Sequence, residues 1–368
     1  MIINKISILN FKNIEEAELS FSPKMNCLFG NNGMGKTNLM DALYYLSFTK
    51  NYTNLADTQL IRHDVDFSVI QGYYQDGEET EEIYCGIKRK QKKVFKRNKK
   101  EYERLSEHIG LIPVVMISPA DTELIQGGSE ERRKFVDILI SQYDKEYLHS
   151  LIYYNKALQQ RNSLLKSQNP LKENKNDNAL FEIWEEQMDF SGKIIYEKRK
   201  NFMDGFLALF KLYYNMIGNE YETVDLKYES QLDNASTASL LSERRERDKI
   251  LGYTSAGIHK DDFNFLLDKY LIRKIGSQGQ NKTYLIALKL AQFRFLVEKG
   301  SSTPILLLDD LFDKLDAKRV ERIIKLVIQP EFGQIFITDT NRKYLDEILS
   351  GIPHDYKLFQ VEKGVIKE

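Results

Sequence analysis

Eight residues near the start of the chain, Gly30-Asn31-Asn32-Gly33-Met34-Gly35-Lys36-Thr37, match the pattern G-x-x-x-x-G-K-[ST] in full. Glycines at 30, 33 and 35 let the backbone curl so that successive N–H groups point inward at phosphate oxygens. Lys36 is spaced to reach the β- and γ-phosphates of a nucleotide such as ATP, and Thr37 to place its hydroxyl on Mg²⁺. Asn38 continues the loop into the next element. That chemistry requires a strand before the loop and a helix after it. Asn26-Cys27-Leu28-Phe29 supplies the strand, and Leu39, Ala42, Leu43 and Leu46 fall on helical spacing behind Thr37.

A second element is Ile305-Leu306-Leu307-Leu308-Asp309-Asp310, four apolar residues ending in acid. It reads as a buried strand delivering Asp309 to Mg²⁺, as the companion of Thr37. Asp310 then stands where a second carboxylate could polarise an attacking water. A strand ending in two solvated acids would explain the same letters, but the phosphate loop in the same chain favours the metal reading. A third element, Ser277-Gln278-Gly279-Gln280, precedes a helix on which Tyr284, Leu285, Leu288, Ala291 and Phe295 share one face. Alone it is a capped helix with a glycine turn.

Positioning these residues needs an α/β scaffold. Residues 2–29 read as two strands joined by a turn, 66–100 as short alternating β runs, and 111–117 as a compact buried strand. Residues 130–165 and 179–217 carry apolar residues at helical spacing, separated by a polar loop, KSQNPLKENKNDN. From about 250 the pattern returns to α/β, with Ile305–Leu308 and Ile335–Ile337 as central strands. The expected fold is a P-loop ATPase core with mixed sheets, residues 1–118 and 251–368. A mainly helical second lobe, 119–250, interrupts it as a short antiparallel arm.

Composition narrows the class. With 368 residues, 42% apolar and 29% charged, the chain has a real core and an ordinary soluble surface. No apolar run approaches the ~18 residues needed to cross a bilayer. The N-terminus lacks a secretory pattern, and Cys27 and Cys85 suit buried thiols better than a disulfide, so a cytoplasmic protein without membrane contact is expected. Net charge is −1, yet residues 88–100, KRKQKKVFKRNKK, hold nine basic side chains and no acid. They read either as a solvated hairpin turning at 97–99 against the acidic stretch 76–82, or as a DNA-phosphate contact through Lys92, Lys93, Lys96 and Arg97.

The order of phosphate loop, Ser-x-Gly-Gln and aliphatic-Asp resembles the ABC-type ATPases. That resemblance implies that Ser277, Gln278, Gly279 and Gln280 cradle the γ-phosphate of ATP held by a partner copy. It also implies that Leu315-Asp316 crosses the dimer interface. Further blocks resemble the RecF family: Leu9-Asn10-Phe11-Lys12-Asn13, Ser118-Pro119-Ala120-Asp121, Arg132-Arg133-x-Phe135-x-Asp137, Leu158-x-Gln160-Arg161-Asn162 and Gly257-x-His259-Lys260-Asp261-Asp262. The resemblance covers about 2–345. It implies an ATP-dependent homodimer with slow hydrolysis that binds duplex and gapped DNA. It also implies work with RecR, and with RecO in the wider pathway, to load recombinase. Lys12 or Asn13 would then lie near the nucleotide, and Thr338 or Thr340 would replace the histidine of transport ATPases as γ-phosphate sensor. Arg132, Arg133, Arg161, His259 and Lys260 would serve as DNA contacts or as structural ion pairs. Asp310, shorter than the usual Glu, fits slow hydrolysis. The alternatives are another ABC- or SMC-like head, a transporter subunit, or a nuclease on a similar head; the insertion is too short for long SMC arms.

Overall fold

A buried sheet carries the phosphate loop. In the computed structural model, which describes residues 1–167, 175–218, 221–300, 302–311, 315–340, 349 and 356–368, its order is β15-β14-β3-β13-β12-β8. The strands are β3 (Met25–Phe29), β8 (Val114–Ile117), β12 (Ile305–Leu308), β13 (Ile335–Asp339), β14 (Tyr356–Glu362) and β15 (Val365–Lys367). All neighbours are parallel except β14 and β15. Ile305 to Leu308 are each at most 2% exposed. Parallel strands covered on both faces read as continuous apolar runs, and each such side chain contributes about 1.5–3 kcal/mol by burial.

A second, wholly antiparallel sheet has the order β2-β1-β4-β5-β6-β7. It comprises β1 (Ile2–Phe11), β2 (Ile14–Ser20), β4 (Phe67–Asp76), β5 (Glu79–Lys88), β6 (Val94–Arg97) and β7 (Lys100–Glu101). The expectation of two strands over 2–29 is corrected here to three, divided between the two sheets. Ser22 and Asn26 exchange hydrogen bonds at 2.8 and 2.9 Å, which folds the chain between β2 and β3. The buried strand expected over 111–117 begins only at Val114, after Pro113.

Helices α1 (Lys36–Phe48), α8 (Gln278–Glu298) and α9 (Ala317–Val327) belong to the same compact unit, formed by Met1–Asp121, Asn215–Gly218 and Gln278–Glu368. The sequence suggests one apolar face for α8. Instead every residue from Thr283 to Phe293 is buried, the signature of a helix enclosed on all sides. Its buried Lys289 pairs with Asp121 at 2.8 Å and with the Tyr52 hydroxyl at 2.9 Å.

The second unit, Thr122–Tyr214 and Asn219–Ser277, contains α2 (Thr122–Gln126), α3 (Ser129–Tyr143), α4 (Lys145–Ser167), most of α5 (Lys175–Ile217), α6 (Thr237–Leu251) and α7 (Ile272–Ile275). It also has a three-stranded sheet, β11 (Tyr270–Leu271), β10 (Asp262–Leu267) and β9 (Val224–Glu229). The single helix expected over 130–165 is broken at Asp144, which leaves helical geometry and accepts the Tyr147 N–H at 2.9 Å. The core of the polar loop, 168–174, lies outside the described residues. No helix among the described residues is long and apolar enough to cross a membrane.

Candidate nucleotide site

The loop between β3 and α1 has the backbone that its glycines imply. Gly33 and Gly35 sit at φ of +78° and +116°, in the left-handed region. Lys36 is buried and turned onto its own loop, donating to the carbonyls of Gly30 at 2.7 Å and Asn31 at 3.2 Å. A terminal phosphate arriving there would offer the ammonium a stronger, charged acceptor. Asn38, in the first turn of α1, donates its side-chain amide to the side-chain oxygen of Asn13 at 2.7 Å. Asn13 in turn donates to the Met34 carbonyl at 3.2 Å, so the β1–β2 turn is fastened to the phosphate loop. Lys12 pairs with buried Asp41 of α1. Asn31 and Asn32 occupy the open part of the loop, where Asn32 is exposed.

Across from the loop, Thr37 donates its hydroxyl toward both oxygens of Asp309, at 3.1 and 2.9 Å. Thr338 at the end of β13 donates to Asp309 Oδ1 at 2.7 Å and accepts the Asp310 N–H at 3.0 Å. Burial pushes the Asp309 carboxyl above its ordinary range, and the two hydroxyl bonds oppose that push. Asp310, half-buried at φ +45°, projects from the turn beyond β12. Thr340 is exposed. A hard divalent cation takes oxygen ligands, and Mg²⁺ is held by one or two protein oxygens together with phosphate. The Thr37 hydroxyl and the buried Asp309 carboxylate, side by side at the mouth of the loop, fit that requirement.

The Ser-x-Gly element straddles the two units: Ser277 closes the second and Gln278 opens α8 in the first. Gly279 accepts the Thr283 hydroxyl at 2.8 Å, while Gln280 lies in the first turn of α8. A Cβ on Gly279 would stand 2.8 Å from the guanidinium of Arg319. Arg319 faces Asp316 at 3.5 Å, and Asp316 caps α9 by accepting the Arg319 N–H at 3.0 Å. Gly279 and Asp316 therefore meet through Arg319. Sequence reading missed that residue, because an arginine one turn into an amphipathic helix looks like solvated surface.

The basic segment is not uniformly free. Lys93 points inward, to the Thr49 carbonyl at 2.5 Å, Asp57 at 3.0 Å and the Tyr45 hydroxyl at 3.1 Å. Arg97 pairs with Glu81, from the acidic stretch upstream, and Lys96 lies 5.7 Å over the Tyr84 ring. Lys92 is exposed. The turn is Asn98-Lys99, both at positive φ, as a two-residue hairpin requires.

In the second unit, the block residues make hydrogen-bond and ion-pair contacts, buried for Arg132 and Arg161, half-buried for Arg133 and His259, and exposed for Lys260. Arg132 pairs with Asp262 at 2.8 Å, and Arg133 donates to the Asp261 carbonyl at 2.6 Å. Arg161 spans Glu185, Asp248 and Thr254 at 2.7–3.0 Å. His259 lies between the Tyr154 hydroxyl and the Thr254 carbonyl, and Lys260 covers the Tyr253 ring.

Known proteins share the sequence and the fold of this chain. The family described as RecF/RecN/SMC N terminal domain matches residues 2–367. A DNA replication and repair protein RecF of Azobacteroides pseudotrichonymphae genomovar. CFP2 is 69% identical over 368 residues, covering all of both chains. The recombination mediator protein RecF with ATP, solved in the context of the RecFOR pathway, aligns at a TM-score of 0.87 and 28% identity, over 100% of this chain and 97% of that one. An Smc head domain of Pyrococcus furiosus shares the fold at a TM-score of 0.59 and 17% identity, over 100% and 95%.

Proposed function

The chain belongs to the RecF family of DNA replication and repair proteins, and we propose that ATP acts in it as the clamp of a homodimer on DNA. The observation that carries this reading is the convergence of Thr37 and Thr338 on the buried Asp309 carboxylate beside the glycine loop. The first compact unit is the ATPase lobe in this reading; the boundary expected at 250 moves to Ser277, because residues 251–277 pack with the helical second unit. The amides of Gly30 to Thr37 bind the phosphates and Lys36 leaves the loop carbonyls for the terminal phosphate. Thr37 and Asp309 would hold Mg²⁺, which supplies charge neutralisation on the β- and γ-phosphate oxygens. Asp310 orients the attacking water and accepts its proton, and its short side chain keeps hydrolysis slow. Thr338 bonds to both acids and so reports occupancy to their turn.

Ser277, Gln278, Gly279 and Gln280 complete the site of a partner copy, with Asp316 at the interface. Without that partner the γ-phosphate lacks its second cradle, so dimerisation follows ATP binding and hydrolysis releases it. DNA, duplex or gapped, is the cargo. RecR, and RecO in the wider pathway, are the partners in loading recombinase, in the cytoplasm. The test is light scattering with ATP and Mg²⁺. The mass should double, Lys36→Met should abolish the change, and Ser277→Arg should block it while the monomer still binds ATP. An unchanged mass in the unmodified protein removes the dimer from the reading.

A further inference from the structure

We infer that the β14–β15 hairpin sets the phosphate loop, with Gly364 as a positioning residue for nucleotide binding; the inference rests on the nucleotide reading above. The hairpin turns through Lys363 and Gly364, at φ of +48° and +83°. The Gly364 N–H donates to the Met34 carbonyl at 2.8 Å, and the Lys363 N–H lies 3.3 Å from the Met34 sulfur. Asn13 donates to the same Met34 carbonyl from the β1–β2 turn. Two donors thus hold that carbonyl facing outward, away from the concave side of the loop. In a trans peptide the N–H of the next residue points opposite to the carbonyl. Fixing the Met34 carbonyl outward therefore aims the Gly35 N–H into the cradle where phosphate oxygens bind.

The fit is close along the whole hairpin. A Cβ at Gly364 would stand 2.1 Å from the Asn13 carbonyl oxygen, and one at Gly30 would stand 2.3 Å from that of Val361 in β14. Lys363 takes left-handed geometry without a glycine's freedom, and its side chain is exposed, so its contribution runs through the backbone.

The test compares ATP with adenosine, which lacks the phosphates, in competition titrations on the folded full chain. Unmodified protein should prefer ATP; an absence of preference would remove the nucleotide reading itself rather than this inference. Gly364→Ala should lower ATP affinity about tenfold, the scale of one displaced hydrogen bond, and leave adenosine affinity unchanged. Gly364→Ser, which places a Cβ against the same Asn13 carbonyl, should show the same loss. Lys363→Gly should retain the ATP preference, because the backbone contact survives. General weakening of the fold would lower both affinities together or only the melting temperature. If either hairpin variant folds and keeps the parental ATP preference, the inference is wrong. Should both fail to fold, hydrogen exchange on the unmodified chain decides: the Gly364 amide should exchange more slowly with ATP than with adenosine, by reciprocal coupling, and equal rates overturn the proposal.

Discussion

Thr37 and Asp309 lie 272 positions apart in the chain, yet the threonine hydroxyl stands 2.9 and 3.1 Å from the two oxygens of the carboxylate. A donor placed symmetrically on a buried acid marks where a cation could bridge the two. Asp309→Asn keeps the shape and removes the charge. It should cost ATP affinity at least about tenfold in Mg²⁺ and nothing in EDTA, since only the charge-dependent contact is lost. Because burial disfavours the Asp309 carboxylate, the variant should melt no lower than the parent. Isothermal titration with and without Mg²⁺ measures the first outcome. An equal Mg²⁺ effect in both proteins would take Asp309 out of the metal site.

Asp310 is a separate case. Its left-handed backbone is tolerated by Asn, so Asp310→Asn should fold and bind ATP like the parent. Single-turnover hydrolysis should fall by about 10²–10⁴, the usual cost of losing a general base. The ATP-bound dimer should then persist for longer. Hydrolysis at the parental rate would mean that another group handles the proton.

What could be read from the letters depended on how locally each feature is encoded. Gly30 to Thr37 and Ile305 to Asp310 are each contiguous, the first between β3 and α1 and the second running out of β12. Thr338 and Thr340 share strand period and chemistry, so sequence leaves the choice between them open; β13 ends at Asp339, and only Thr338 reaches Asp309. The Gly364–Met34 contact joins residues 330 positions apart through a backbone N–H that any residue type carries, so no letter announces it. In the basic run, composition reports charge but not direction: Lys92 is exposed, whereas Lys93 reaches Tyr45, Thr49 and Asp57.

That difference is measurable. Lys93 has three oxygen partners and a side chain only 16% exposed. Lys93→Ala should cost about 1–2 kcal/mol of stability, read as a lower midpoint in urea. Lys92→Glu should leave that midpoint alone. If the hairpin meets phosphate, Lys92→Glu lowers DNA affinity and reduces the salt slope by about one. An unchanged slope makes the segment a solvated face, with Glu81 as the structural partner of Arg97.

His259 offers a pH signature in the second unit. The Thr254 carbonyl can only accept, so Nε2 carries the hydrogen, and Nδ1 accepts the Tyr154 hydroxyl at 2.8 Å. Burial is the main cause that lowers the imidazole pKa from 6.5 to about 4, and the nearby cations Lys260 and Arg133 add to it. The unfolded chain therefore binds a proton near pH 6.5 that the folded chain refuses until about pH 4. Stability from this group is complete above pH 6.5 and is lost as the pH falls toward 4, by about 3 kcal/mol at most. His259→Gln, whose amide can donate to Thr254 but does not titrate, should flatten the stability profile over that window while leaving the profile above pH 7 parallel to the parent. Urea midpoints at half-unit steps from pH 7.5 to 4.5 give the comparison. Parallel curves throughout would show that His259 accepts its proton equally well in both states, and the buried neutral imidazole would then be the wrong description.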